Sequence, residues 1–395
     1  MNLGISVIGP SGSGKSSLIA SHFIHTQRVL NACENPDKVH ISPYDSDSDE
    51  NGETSKKKID NAKDSFMKSI EQNKNSTFET LLGGTNAKTI YRLYYKFGKE
   101  YTGPDLNIEI TDYPGGWLGK AEFQTEEVHD SMILSTALLV PIPADVLLFM
   151  GANEEGRDKD KEKNAKWSYC YDALKVNEVM DCVQAWIAHR IRAHLEGLLL
   201  FVPIRCEHCF ADNCNREDMT CDDKAKKLFK LIESYYIDKL VIDDDTLRYI
   251  TCKIHAVDTY GISKYYKTKE KDGAYASIFN IVATNGPKRI SPKGAFEQMN
   301  TIISHGIEVI RDIEQRLKNA VHAQKEQLGY LGKFLNWVKR DPLGKEEAKH
   351  DANINALKDV LLNLSKHALA ESQKYGYSKY REKEVALQVN VKSQI

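Results

Sequence analysis

The 395-residue sequence contains no apolar run approaching the ~20 residues that a membrane-crossing helix needs. It also lacks a basic, then apolar leader at its N-terminus, where a candidate strand begins almost at Met1, so no secretory signal is expected. An excess of positive charge is missing as well. Lys and Arg number 54 against 56 Asp and Glu, for a formal net charge of -2, and this argues against nucleic acid as a partner, because binding to phosphate backbones leans on surplus cations. The eight cysteines come without any sign of secretion, so they predict reduced thiols and a cytoplasmic protein, not a disulfide framework. What is present is a hydrophobic fraction of 41% beside a charged fraction of 28%, enough for a soluble chain with a sizeable core. The length is too great for one ordinary domain and comfortable for two.

One stretch organises the rest. Gly9-Pro-Ser-Gly-Ser-Gly-Lys-Ser16 follows the apolar run Ile5 to Ile8 and precedes the helix-forming Ser17-Leu-Ile-Ala-Ser. This is G-x-x-x-x-G-K-[ST] in its required strand, loop and helix setting. In such a loop the backbone N–H groups of Gly9, Ser11, Gly12, Ser13, Gly14, Lys15, Ser16 and Ser17 surround a polyphosphate at a helix N-terminus. Lys15 reaches the β/γ oxygens, and the Ser16 hydroxyl ligates Mg²⁺. The bland alternative is a glycine-rich turn without ligand, but a turn has no use for lysine and serine after its last glycine.

Beyond a helix through about Asn31 the composition changes. From 42 to 75 the chain is polar and charged, which predicts a mobile insertion with a helix around Ala62 to Glu71. Thr89 to Phe97 and Leu106 to Thr111 then show near-alternation and predict an antiparallel pair. The second of these ends in Asp112-Tyr-Pro-Gly-Gly116-Trp117. An acid at the carboxyl end of a strand beside a P-loop strand is a second anchor for Mg²⁺, and Gly115 would let a backbone N–H approach the γ-phosphate; the alternative is a plain Pro-Gly turn. A helical region is expected next, then a buried strand from Ala144 to Met150, amphipathic helices between Trp167 and Leu195, a central parallel strand from Leu198 to Ile204, a helix from Lys224 to Tyr235, and a last strand from Tyr249 to Val257. The expected fold is an α/β sheet of P-loop NTPase type, mostly parallel with one antiparallel strand, carrying its ligand at the strand carboxyl ends.

After about Asn285 the pattern becomes helical. Apolar residues at Phe296, Met299, Ile303, Ile307, Ile310, Ile313, Leu317 and Val321 recur at three- and four-residue steps, and Asp341-Pro-Leu-Gly344 separates them from a second series through Ile354, Leu357, Val360, Leu361, Leu364 and Leu369. The expected domains are therefore a nucleotide-binding domain over 1–285 and an appended α-helical region over 286–395 with a polar tail. These helices could serve a protein partner or a second copy of the chain. The aromatic and basic residues Tyr330, Phe334, Trp337, Lys333, Lys339 and Arg340 would also suit a membrane surface, although packing on the sheet is the plainer reading.

The motif set resembles the Ras-like and translation-factor class of P-loop GTPases, most closely the YcjX-like and bacterial double-GTPase branch. The resemblance is carried by the P-loop, Asp112-Tyr-Pro-Gly with its following Trp, Pro203-Ile-Arg-Cys-Glu207 and Val257-Asp-Thr-Tyr-Gly261, over roughly residues 3–265. It implies that Lys15 and Ser16 handle phosphate and Mg²⁺, that Asp112 supports the metal, and that Thr85 is the switch threonine closing on it. It also implies that Glu207 faces the guanine N1 and N2 donors, that Arg205 packs along the base, and that the Ala256 backbone N–H meets the base carbonyl. Two departures stand out. Arg205-Cys-Glu207 replaces Asn-Lys-x-Asp, which keeps ATP open beside GTP; and Gly116 stands where such enzymes carry a water-positioning glutamine, which predicts slow intrinsic hydrolysis.

Cys206, Cys209, Cys214 and Cys221 follow one another closely enough to surround Zn²⁺, but only the first pair has the usual C-x₂-C step, and a loop with reduced cysteines is the preferred reading. The sequence thus predicts a nucleoside triphosphatase switch. A scaffold that binds nucleotide without turnover and, less favoured, a small-molecule kinase are the rivals. The branch hints at a bacterial stress or conflict system by analogy alone.

Overall fold

The computed structural model describes residues 2–31, 39–43, 53–72, 88–97, 101–103, 105–119, 126–206, 220–240, 248–259, 261, 263–271, 274–281, 292–327, 342–374 and 382–385, and the statements below concern these. Ten strands are described: β1 (Asn2–Val7), β2 (Val39–Pro43), β3 (Thr89–Phe97), β4 (Leu106–Asp112), β5 (Ala137–Pro143), β6 (Gly197–Ile204), β7 (Ile250–His255), β8 (Ser263–Lys271), β9 (Ala274–Ile281) and β10 (Glu382–Glu384). The longer helices are α1 (Lys15–Asn31), α2 (Ser55–Gln72), α3 (Glu126–Ile133), α4 (Ala144–Ala152), α5 (Lys161–Leu174), α6 (Val176–Arg192), α7 (Thr220–Tyr235), α8 (Ala295–Gln327) and α9 (Pro342–Lys374).

Eight strands form one sheet in the order β10-β7-β6-β5-β1-β4-β3-β2, while β8 and β9 make a separate hairpin. β4, β1, β5, β6 and β7 run parallel. β3 runs against β4, as its alternation predicted, and the short β10 runs against β7 at the opposite edge. The central strands read as continuous apolar runs because both of their faces are covered. Along β5, for example, Leu138, Val140 and Ile142 belong to a core on one face, and Ala137 and Leu139 to a core on the other. The first core takes in side chains of α4, α5, α6 and α7; the second takes in those of α1, α2, α8 and α9. This three-layer, mostly parallel arrangement around a strand, loop and helix at β1-α1 is the P-loop NTPase fold.

The strand expected at Ala144 to Met150 is instead helix α4, and the strand lies one step earlier, at β5. A short apolar run cannot be assigned to strand or helix by periodicity alone. The prolines at 141 and 143 disguised β5, although both lie toward its carboxyl end, where the ladder is running out. Within the polar stretch 42–75, helix α2 is longer than expected, and it buries Ile59 and Phe66. Residues 44–52 and 73–87 lie outside the described ones.

The two C-terminal helices pack on each other and, through α8, on α1. The predicted apolar face of α8 is buried from Phe296 to Ile310, whereas Ile313 and Leu317 are exposed. A Cβ at Gly306 would lie 3.1 Å from Leu3 Cδ2, so α8 rests directly on β1. Two buried polar sets fix this docking. His22 Nε2 and Gln298 Oε1 lie 2.7 Å apart, and the Phe296 N–H donates to His25 Nδ1 at 3.1 Å, satisfying a donor that the first turn of α8 leaves without a helical partner. Farther along, Glu314 receives His350 at 2.6 Å and the Asn353 amide at 3.2 Å, while Asn353 Oδ1 accepts from the Thr102 backbone and hydroxyl, each at 3.0 Å.

Candidate functional site

β1 delivers the chain into the loop between β4 and β5, with Val7 opposite Asp112 on one side and Leu139 on the other. Register alone therefore sets Asp112 beside the start of the P-loop. The loop turns through a Ser13 N–H to Pro10 carbonyl bond of 3.2 Å, and α1 starts at its end with Leu18 N–H donating to Gly14 O at 2.9 Å. Gly12 and Gly14 both have positive φ, +75° and +86°, a region that suits glycine. At Gly14 a Cβ would also meet Ile204 Cδ1 at 2.5 Å, so the end of β6 presses on the loop.

Lys15 is almost wholly buried, and its Nζ donates to the carbonyls of Gly9 at 2.9 Å and Pro10 at 3.1 Å. Burial lowers its pKa, against the pull of Asp112. The Ser16 hydroxyl donates to Asp112 Oδ2 at 2.9 Å across 96 residues of sequence. Asp112 is fully buried, and burial pushes its carboxyl up to about 6, opposed by the Lys15 charge and by the Ser16 bond. Its Oδ1 has no hydrogen-bond partner, and neither does the buried Ser13 Oγ. Such groups are costly to bury unsatisfied. A hydroxyl and a carboxylate with a lone oxygen form the hard-oxygen donor set that Mg²⁺ takes, and the residues present fit that ion.

The Asp-Tyr-Pro-Gly segment lies against the P-loop. A Cβ at Gly115 would fall 2.2 Å from Ser11 N and 2.3 Å from the Pro10 carbonyl carbon, both backbone atoms, so only glycine permits this approach. Gly116 is exposed, with nothing within 4 Å of a Cβ placed there.

β6 ends beside β5 and β7, and a bridge between Ile204 and Val257 brings Ala256 and Asp258 to the same edge as Arg205. Arg205 adopts φ +54° and donates from Nη2 to Gly12 O at 2.9 Å; its Nη1 lies 3.5 Å from Asp145 Oδ2. Ala256 is buried. Asp258 closes the following turn by accepting from the Gly261 N–H at 2.8 Å. Thr85, Glu207, Cys209 and Cys214 lie outside the described residues, as do 328–341, which hold Tyr330, Phe334 and Trp337. Cys221 falls in α7, and Cys206 is buried in the core, its thiol donating to Pro203 O at 3.1 Å. Among the described residues no cluster of three or more His, Cys, Asp or Glu is gathered as a metal site, and no helix is long and apolar enough to cross a membrane.

Of the expected nucleotide-site residues, the structure brings Gly9 to Ser17, Asp112 and Gly115 together and sets Arg205 against the loop. Asp145 was missed. Its signal in the sequence is an acid directly after the apolar run of β5, a place that the expected strand from Ala144 to Met150 hides.

No family model and no curated protein matches the sequence. Among solved structures, the S. cerevisiae Ski7 GTPase-like domain, bound to GTP, is similar at 10% identity with a TM-score of 0.28, over 65% of this chain and 43% of that one. The match spans less than half of that neighbour, and it is too loose to bear on ligand or activity.

Proposed function

We propose that the chain is a Mg²⁺-dependent P-loop nucleoside triphosphatase, with GTP the favoured nucleotide, that acts in the cytoplasm as a switch of the Ras-like and translation-factor class, nearest the YcjX-like branch. The observation that carries this reading is the contact between Ser16 and the buried Asp112, with a partnerless Oδ1, at the mouth of a complete P-loop. A turn serving structure alone has no reason to bury a carboxylate in that state. The Lys15 ammonium is folded back on two carbonyls of its own loop and would exchange them for phosphate oxygens. Ser16 and Asp112 would hold Mg²⁺, with Thr85 completing the set, and the ion would supply positive charge against the phosphates. Gly115 offers a backbone N–H toward the γ position, Arg205 and Ala256 stand on the base side, and Glu207 supplies the guanine preference.

A second reading, a nucleotide-loaded scaffold without turnover, is favoured by Gly116, which has no side chain to orient water. Titration of GTP and ATP with Mg²⁺, followed by single-turnover hydrolysis, tests both. Tighter GTP binding, weakened by at least about a hundredfold in Lys15→Ala, is expected, because charge-assisted bonds to phosphate are lost. Tight binding without turnover would select the scaffold, and wild-type affinity in Lys15→Ala would overturn the assignment.

A further inference from the structure

Arg205 joins three parts of the carboxyl edge: the end of β6, the P-loop through Gly12 O, and the first turn of α4 through Asp145. The meeting follows from register. Pro143 and Ile204 are paired at the ends of β5 and β6, so Asp145, two residues past one strand, comes beside Arg205, one residue past the other. Two features set the contact apart from an ordinary surface pair. Asp145 has only 3% of its side chain exposed, against 29% for Arg205, and Arg205 holds a left-handed backbone that costs a residue with a Cβ on the order of 1–2 kcal/mol. Strain of this kind persists where the surroundings over-determine it.

We infer that Asp145 is a positioning residue for the nucleotide site: its buried carboxylate aims the Arg205 fork so that one arm holds the Gly12 carbonyl and keeps the P-loop in its phosphate-receiving shape. The inference rests on the proposed nucleotide reading. A guanidinium suits the task because its nitrogens are fixed in one plane, so that Nη2 can hold a carbonyl while Nη1 faces a carboxylate as an ion pair, which a lysine ammonium on a flexible stem does less well. Gly12 needs such a hold. With a positive φ and nothing within 4 Å of its missing Cβ, it is braced by no side-chain packing of its own. The next glycine, Gly14, is instead held by Ile204, the neighbour of Arg205. The β6 end thus grips the loop at two points, and Asp145 sets the polar one.

The test compares Asp145→Asn, Arg205→Gln and the double variant in full-length protein, titrated with GTP, ATP and inorganic tripolyphosphate in the presence of Mg²⁺. Each single variant should weaken all three probes by about tenfold, the scale of one charge-assisted bond. Because Asp145 acts through Arg205, adding Asp145→Asn to Arg205→Gln should cost nothing more. The tripolyphosphate arm matters most, since a residue acting on the base side alone would leave it unchanged. Wild-type affinities in Asp145→Asn, or losses that add in the double variant, would overturn the inference. If Asp145→Asn unfolds, Arg205→Gln and Arg205→Lys still decide, and unaltered tripolyphosphate binding in both would overturn it equally. A wild-type protein that binds none of the probes would refute the nucleotide reading itself, a distinct outcome.

Discussion

Within the proposed site, the residue whose burial costs the apo fold most clearly is Asp112. In the unfolded chain its carboxyl ionises at its ordinary value of 3.8, and in the fold at about 6. Below 3.8 both states are protonated; between 3.8 and 6 the unfolded state loses its proton first, so stability falls as pH rises, and above 6 the full penalty remains. Asp112→Asn should therefore raise the Tm of the nucleotide-free protein at pH 7.5 by several degrees, as about 1–3 kcal/mol would in a chain of this size, with the gain shrinking as pH is lowered from 6 toward 4. The same variant should weaken the Mg²⁺ dependence of nucleotide binding. Thermal scans at three pH values with a magnesium titration check both arms, and a less stable variant at pH 7.5 would show that the carboxylate is compensated in the apo fold. Gly116 offers the converse experiment. Open space surrounds its missing Cβ, so the first carbon of Gly116→Gln meets no obstacle, and single-turnover hydrolysis should rise by about tenfold or more at unchanged affinity. Equal turnover would mean that the water is oriented from elsewhere.

At the scale of elements, the docking of α8 on α1 carries a built-in acid sensitivity. Burial lowers the pKa of His22 to about 4, its bond to Gln298 opposes the shift, and the neighbouring His255 and His25 add to it. An unfolded histidine ionises near 6.5, so between 6.5 and 4 the unfolded state takes up a proton that the folded state refuses, and stability is lost as pH falls through that window while remaining intact above it. Urea denaturation should show about 1–2 kcal/mol less stability at pH 5 than at pH 6.5 from this group, and His22→Asn, whose amide can still donate to Gln298, should flatten the slope. An unchanged slope would assign the acid sensitivity to other groups. Elements also show where sequence reading reached its limit. The P-loop and Asp112 were legible because their chemistry is written in local spacing and strand ends. The β3-β4 pair was legible through alternation, and the α8 face through its three- and four-residue steps. β5 and α4 were confounded because β5 is buried along its whole length while α4 is apolar well beyond its buried apolar residues Ala144, Leu147 and Met150, so neither run shows a period. The Arg205 to Gly12 contact spans 193 residues, and nothing in either segment announces the other. Likewise β10 was hidden in a stretch that read as polar tail: it pairs with β7 from Glu382 opposite His255 to Glu384 opposite Lys253, and the next residue, Val385, donates its N–H to Cys252 O at 3.0 Å, a pairing that composition could not foretell.

For the whole molecule, the consequential fact is that one hydrophobic core contains Leu3 and Ile5 of β1, Leu18 and Ile19 of α1, Ile303 and Ile307 of α8, and Leu357 and Leu364 of α9. The apolar face of α8, which the sequence offered to a partner, is largely spent inside the fold. A chain ending at residue 285 should consequently expose that face and bind a hydrophobic dye or aggregate, in place of behaving as a small independent GTPase. A soluble 1–285 fragment with cooperative unfolding would show that the helices are separable after all. The same arrangement fixes an order of events during synthesis. Every described part of the proposed site is present by residue 258, yet β1 is also covered by α8, from residue 295 on, and the strand that closes the β7 edge is 382–384. A nascent chain that has already extruded the site still presents an unpaired edge and an uncovered apolar layer, and contacts this distant form slowly. Loading of the proposed site with nucleotide should then wait until α8, α9 and β10 have been made, which leaves the half-made protein reliant on chaperones for the time it takes to translate them.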